Sequence, residues 1–247
     1  MKAITSLQNS QVKTWGLLHD RATRNERKQF LVEGYHLVRE AHQAGILQEL
    51  IITQEMDAMS GIPSTLVSME IIQKIAKTKT PQGIMGICNM NNSNDLNRDR
   101  YLILDGIQDP GNLGTLIRSA LGFGIEGIIT TPNGVDMYHD KVLRATQGAL
   151  FYLDIHVNPL EEILPLLLMQ GVKLYGTDVE EGVFLHEITP PHRFAIVLGS
   201  EGQGLSSYAK KQVQQMVHIP THDILESLNV AIAGSIILYQ FMQRGGY

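Results

Sequence analysis

Ile219-Pro-Thr-His-Asp-Ile-Leu-Glu226-Ser227-Leu228-Asn229-Val-Ala-Ile-Ala233 carries an apolar strand end through a proline and a polar loop into an apolar helix. Beyond Asn229, Val230, Ala231, Ile232, Ala233, Ile236, Ile237, Leu238, Phe241 and Met242 cover most of the helix circumference. A helix apolar on most faces, here from about Leu228 to Gln243, belongs in a core or a subunit interface. Ser227 is placed to cap its start, because a hydroxyl accepts from the free amides of a first turn. Those amides and the positive helix end suit a negatively charged or electron-rich group. Taken alone, the stretch describes an ordinary capped core helix. Two stretches upstream shift that reading.

Working outward, residues 101–219 alternate strands and helices. Strands are expected at Tyr101–Asp105, Gly127–Thr131, Tyr152–His156, Lys173–Asp178, Phe194–Gly199 and Met216–Ile219, with helices near Asn112–Phe123, Asp140–Gln147, Leu160–Gln170 and Ser206–Gln214. Apolar strands without clean alternation predict a parallel sheet of about six strands covered on both faces. Such sheets bind ligands beyond the carboxyl ends of their strands, where Asp105, Leu198-Gly199 and Ile219 fall. Residues 1–95 predict a smaller α/β domain, with a helix over Asn9–Arg24, a helix over Tyr35–Ala44 ended by Gly45, and one from Ser68 to Thr78. Between the two lies NMNNSNDLNRDR, residues 89–100, whose five asparagines make it a linker.

Composition narrows the class. The length of 247 residues allows two modest domains with ample core. The lone cysteine, Cys88, excludes an intrachain disulfide framework and fits a reducing, cytoplasmic setting. No apolar core follows Lys2, so no signal peptide is expected, and no apolar run reaches the roughly 18–20 residues of a membrane span. The net charge of −5 argues against a general nucleic-acid coat. Yet residues 1–95 hold ten basic against nine acidic side chains, and residues 96–247 ten against sixteen. The early excess, in Arg21, Arg24, Arg27 and Lys28, reads either as a solvated helix face or as a phosphate-contacting patch.

Gly122-Phe-Gly124-Ile-Glu-Gly127 spells GxGxxG, but its glycines end a helix and precede a strand, the reverse of a dinucleotide fingerprint. His218 and His222 straddle Pro220 and share no helix face, so no metal site is expected. More informative is Asp105-Gly-Ile-Gln-Asp-Pro-Gly-Asn112-Leu-Gly114-Thr-Leu-Ile-Arg118, a strand, a turn and a helix start. Arg118 lies about two turns into a largely apolar helix, and a cation there needs a partner or a ligand. Lys141-Val-Leu-Arg144-Ala-Thr146 puts two cations on one helix face. In Leu198-Gly199-Ser200-Glu201-Gly202-Gln-Gly204-Leu-Ser206 a buried strand enters a glycine-dense loop with one carboxylate. Such a loop can press its backbone amides against a small ligand, with Gly202 the expected point of close approach.

Together these stretches resemble the SpoU (TrmH-like) branch of the SPOUT RNA methyltransferases. Three ordered motifs carry the resemblance over residues 101–247: DPGNLGTLIRSALGFG, LGSEGQGLS and IPTHDILESLNVAIAGSIILY. LVEGYHLVREA, in the first 95 residues, is similar to the small substrate-binding domain that many members carry. The resemblance implies a doubly wound sheet with a C-terminal trefoil knot, a feature outside ordinary threading rules. It implies S-adenosylmethionine as methyl donor, a ribose 2′-hydroxyl of ribosomal or transfer RNA as acceptor, and a homodimer with no metal. By motif, Leu198, Gly199, Ser200, Glu201, Gly202, Ile219, Leu228 and Asn229 surround the donor. Asn112, Arg118, Glu201, Ser227 and Asn229 form the reaction site. Lys141, Arg144 and Thr146 stand where the family reads KxxRAS, and would face RNA together with Arg21, Arg24, Arg27 and Lys28. Guanidinium stays protonated, so Arg118 is assigned to orienting the ribose or its phosphate. A non-catalytic RNA-binding relative of the same fold, and a nucleotide-binding Rossmann-type enzyme, are the alternatives. Retention of all five reaction-site residues argues against the first, and the reversed GxGxxG against the second.

Overall fold

In a computed structural model of the protein, residues 1–90, 95–177, 182–222 and 224–245 are described. The centre of the expected linker, 91–94, and the expected strand end Asp178 lie outside them. The chain divides into two compact units, Met1–Asn91 with Asp136–Tyr152, and Asn92–Val135 with Leu153–Tyr247.

The first unit runs β1 (Lys2–Ile4), α1 (Ser10–Leu17), α2 (Arg21–Arg27), β2 (Gln29–Glu33), α3 (Tyr35–Gln43), β3 (Leu47–Ile52), β4 (Ser64–Val67), α4 (Met69–Ile75) and β5 (Ile84–Asn89). Its five strands lie in the order β1-β4-β3-β5-β2, with β5 antiparallel to both neighbours. The single helix expected over Asn9–Arg24 is two. The first ends at Leu17, and the Asp20 carboxylate starts the second by accepting from the Thr23 amide at 2.9 Å and the Thr23 hydroxyl at 3.2 Å. The helix after Ser68 runs only to Ile75, and the Ser68 side chain makes no cap bond. Val12 and Trp15 of α1 are buried with Ile71, Ile72 and Ile75 of α4 in the core of this unit. Burial pushes the Cys88 thiol pKa well up, which leaves it inert.

The second unit begins with β6 (Arg100–Asp105), α5 (Pro110–Gly122) and β7 (Gly127–Thr130). Residues 136–152, including α6 (Asp140–Thr146), then join the first unit, a departure from the expected continuous 101–247 domain. Arg24 and Asp136 form an ion pair there, and Phe30 packs its ring on Tyr138 at 4.7 Å and Phe151 at 5.9 Å. The second unit resumes with β8 (Asp154–Val157), α7 (Leu160–Met169), β9 (Lys173–Thr177), β10 (Val183–Phe184), β11 (Phe194–Gly199), α8 (Ser207–Gln212), β12 (Gln215–His218) and α9 (Val230–Gly245).

Its sheet has seven parallel strands, one more than expected, in the order β10-β12-β9-β11-β6-β7-β8. The addition is the two-residue edge strand β10, too short to leave a pattern in sequence. All six residues of β11 are buried, as befits a central strand covered on both faces. One face carries Ile103, Ile129, Val197 and Leu174 against α7. Over the other lie α5 and α9, joined by the Ser119 and Ser235 hydroxyls at 2.7 Å. A Cβ on Gly234 would strike Leu116 and Leu198, so glycine lets α9 come down onto α5 and β11. Further along α9, Phe241 sets its ring edge-on to Tyr175 at 4.9 Å. Each such buried side chain is worth roughly 1.5–3 kcal/mol.

Candidate active site

The paired register of β6 and β11 puts Asp105 directly beside Gly199, so the loops leaving both strands emerge together at the carboxyl edge of the sheet. Asp109 ends the loop after β6. Its carboxylate caps α5 by accepting the Asn112 amide at 2.8 Å, so the helix starts at Pro110 and Asn112 stands in its first turn. The Asp105 carboxylate accepts the Ser206 amide at 2.7 Å and ties the end of the glycine loop back to β6.

Within that loop Ser200 and Gly204 exchange backbone hydrogen bonds at 2.8 and 3.1 Å. A Cβ on Gly199 would fall onto the backbone of Gly204 and Leu205. The required close approach is therefore at Gly199. Gly202, expected to be that point, has only open space around it, which leaves its backbone reachable from outside.

Asn112, Glu201 and Asn229, separated by 89 and 28 positions in the chain, meet here. The Asn112 side-chain amide donates to Glu201 Oε1. Asn229 Nδ2 donates to Asn112 Oδ1 at 3.0 Å and lies 3.4 Å from Glu201 Oε1. Asn229 Oδ1 in turn accepts the Ala231 and Ile232 amides at 2.9 and 3.2 Å. Each amide is thus fixed in orientation by what it donates and accepts. The second carboxylate oxygen of Glu201 has no partner among the described residues. An exposed carboxylate held this way can face a cation or accept from a hydroxyl.

A model of the SpoU rRNA methylase family matches residues 99–239, more than half the chain. The chain belongs to the SpoU family. A model of the MRM3-like substrate-binding domain matches residues 9–86. The chain is 34% identical over 244 residues to the 23S rRNA (guanosine(2553)-2′-O)-methyltransferase RlmP of Bacillus subtilis, covering 97% of this chain and 98% of that one. Among solved structures it is similar to the AdoMet-bound rRNA methyltransferase of Sinorhizobium meliloti, with a TM-score of 0.89, 28% identity, and coverage of 98% and 97%. It is also similar to a TrmH-family protein of Porphyromonas gingivalis, with a TM-score of 0.86, 29% identity, and coverage of 97% and 100%.

Several residues expected at a SpoU site stand elsewhere or serve otherwise. Ser227 is exposed, makes no hydrogen bond among the described residues and does not cap α9; Asn229 does. An amide oxygen two residues further on reaches the first-turn N–H groups that the hydroxyl was expected to reach. Leu198 is buried against Gly234, so only its backbone can meet a ligand. Ser200, Ile219 and Leu228 are half-buried around the loops. Arg118 is exposed on α5 with no partner among the described residues. Six residues at about 100° each place it roughly 240° around the helix from Asn112, so the two do not address one point.

In the first unit, Arg24 is withdrawn from the expected RNA-facing set. It is 4% exposed and donates to the Leu18 and His19 carbonyls at 2.9 and 2.7 Å besides pairing with Asp136. Thr146 is buried, and its hydroxyl donates to the Leu143 carbonyl at 2.9 Å, so it too is unavailable to RNA. Arg144 is tied to Asp140 at 2.8 Å. Burial works to raise the Asp140 carboxyl, but the hydrogen bond and charge of Arg144 outweigh it and hold the group below its ordinary range. Arg21, Arg27, Lys28 and Lys141 remain exposed. Among the described residues no group of three or more His, Cys, Asp or Glu is placed to hold a metal, and no helix is long and apolar enough to cross a membrane. Asp109 and Asn133 escaped the sequence reading, although a Pro-Asn-Gly turn at 132–134 was a visible signal for the second.

Proposed function

We propose that this protein methylates a ribose 2′-hydroxyl of ribosomal RNA, with 23S rRNA as the substrate, using S-adenosylmethionine. The observation that carries the reading is the Asn112–Glu201–Asn229 network beside the glycine loop. The donor fits the residues present, because a glycine-backed loop with open space at Gly202 lies next to a carboxylate with an unused oxygen. When bound, S-adenosylmethionine supplies a methyl group on a good leaving group, which leaves the protein chiefly to position the acceptor. Gly199, Gly202, Ile219 and Leu228 form the cradle. Glu201, fixed by the two asparagines, faces positive charge. The chain's passage through 219–229 into α9 is where the family's trefoil knot would close.

Arg118 orients the acceptor ribose or its phosphate, and it does so in the site of a second copy of the chain. Its position around α5 from Asn112 supports this, as does its exposure with no partner among the described residues. α9 leaves Ile232, Ile236 and Tyr239, one helical stripe, 39–53% exposed. A two-fold dimer would cover that stripe and bring the arginine of each protomer to its partner. The first unit selects the RNA through Arg21, Arg27, Lys28 and Lys141. The test is 2′-O-methyl mapping of rRNA from cells with and without the gene, followed by transfer of labelled methyl to a 23S transcript by the purified protein. Identical maps together with an inert purified protein would sink the reading.

A further inference from the structure

A cavity of about 690 Å³ opens between the loop after β6 and the glycine loop after β11. Asp105, Gln108 and Asn133 line one side, and Glu201, Ser206 and Ser207 are among those on the other. We propose that this cavity receives the target nucleoside, its ribose at the Glu201 end and its base read by the side-chain amides of Gln108 and Asn133. The inference rests on the methyl transfer proposed above and locates the acceptor.

Size and chemistry carry it together. The volume falls within the roughly 300–1,000 Å³ of small-molecule sites. Neither lysine nor arginine lines the cavity, whereas Asp105 and Glu201 both do, so a phosphate would meet like charge. An uncharged polar group is what the lining accepts. Glu201 belongs both to this lining and to the network with Asn112 and Asn229, which puts the reacting end of the ligand there. At the other end Gln108 Nε2 donates to the Asn133 backbone carbonyl at 2.7 Å, which holds the amide in place. The Gln108 oxygen and its second N–H remain for a ligand, and a side-chain amide offers the paired donor and acceptor that a base edge presents. The base must leave its stack to enter, as bases do when an enzyme acts on a single nucleotide. Of the residues assigned to the methyl donor, Ser200, Glu201 and Gly202 edge this cavity, whereas Gly199, Ile219, Leu228 and Asn229 do not line it, so donor and nucleoside would meet along the glycine loop.

The rival occupant is the methyl donor itself, and substitutions separate the two. Ser207→Trp fills the cavity while Ser206, whose hydroxyl accepts the Ala209 amide at 3.2 Å, keeps its cap on α8. Gln108→Ala and Asn133→Ala remove exposed side chains and leave the fold intact. S-adenosylmethionine affinity is measured by calorimetry, and kcat and KM by methyl transfer to a 23S rRNA transcript. All three variants should bind S-adenosylmethionine within twofold of the unaltered chain. Ser207→Trp should lose at least a hundredfold in kcat/KM for RNA. Gln108→Ala should raise KM for RNA about tenfold and narrow the preference among transcripts carrying each of the four bases at the target position. Weakened donor binding in Ser207→Trp, or unaltered RNA kinetics in all three variants, would overturn the proposal. Transfer by the unaltered chain checks the underlying function, and the ratios between variants check the cavity, so the two fail separately.

Discussion

Helices α2 and α5 each carry an arginine about midway along, and the two regions use it in opposite ways. Arg24 on α2 is buried, with two carbonyls and a carboxylate around its guanidinium. Arg118 on α5 is exposed, with no partner among the described residues. A buried guanidinium must be satisfied by its own chain, because leaving it unpaired away from water is costly. Once satisfied it has nothing left for a ligand. An unpaired one at the surface keeps all five donors for phosphate or ribose. The charge is the same in both places; the surrounding acceptors decide whether it is spent on the fold or left open to a ligand.

The strongest way to break this contrast is Arg118→Ala. It should lower kcat roughly 10²–10³-fold, about 3–4 kcal/mol in the barrier, as loss of one preorganised charged contact commonly does. Thermal stability should stay within about 0.5 kcal/mol. Mixed with inactive Asn229→Ala chains, it should regain activity, because one site of the heterodimer then holds neither defect. A heterodimer seen by native mass spectrometry that stays inactive would remove the shared site.

Arg24→Ala should do the converse. Breaking a buried pair costs about 3 kcal/mol, read as a lower midpoint in urea unfolding, while S-adenosylmethionine affinity holds. An unchanged midpoint with weakened RNA binding would return Arg24 to the RNA surface. The glycine loop offers the same contrast in the backbone. Gly199→Ala should weaken S-adenosylmethionine binding at least tenfold, about 1.4 kcal/mol, because its Cβ meets Gly204. Gly202→Ala, with open space around it, should change affinity less than threefold by calorimetry. Equal losses at both positions would place the constraint outside the chain, in the ligand.

The smallest effect is expected on the remaining charges of the first unit. Replacing Arg21, Arg27 and Lys28 with glutamine should lower RNA affinity only a few-fold and flatten its salt dependence by roughly 0.9 per lost phosphate contact. An unaltered salt slope would make this cluster a solvated face, and α2 then contributes to the fold alone.

Much of this was legible in the chain because it follows from local rules. Apolar runs at β6, β9 and β11 declare central strands of a parallel sheet, and the asparagine-rich stretch after β5 marks where the sheets change. The motifs around Asn112, Glu201 and Asn229 pointed to three candidate site residues that the fold brings within hydrogen-bond reach. The cap of α9 was misplaced because Ser227 and Asn229 are both good capping residues, and only the path of the loop decides between them. Residues 136–152 were assigned by their position in a strand–helix alternation. Burial of Phe30 against Tyr138 and Phe151 instead joins them to the first unit, a long-range contact that no window of sequence contains.

The order of strands and helices, the glycines of the loop and the motifs that hold the candidate site residues are written in the linear chain, since propensity, periodicity and steric freedom act over a few residues. The pairing of Asp105 with Gly199, the convergence of Asn112, Glu201 and Asn229, and the opposite fates of Arg24 and Arg118 required the folded molecule. Each depends on which acceptors and which backbone arrive from far away in the sequence. A carboxylate or guanidinium takes its role from the partners within about 3 Å of it, and sheet register and helix docking, not neighbours in the chain, supply those partners.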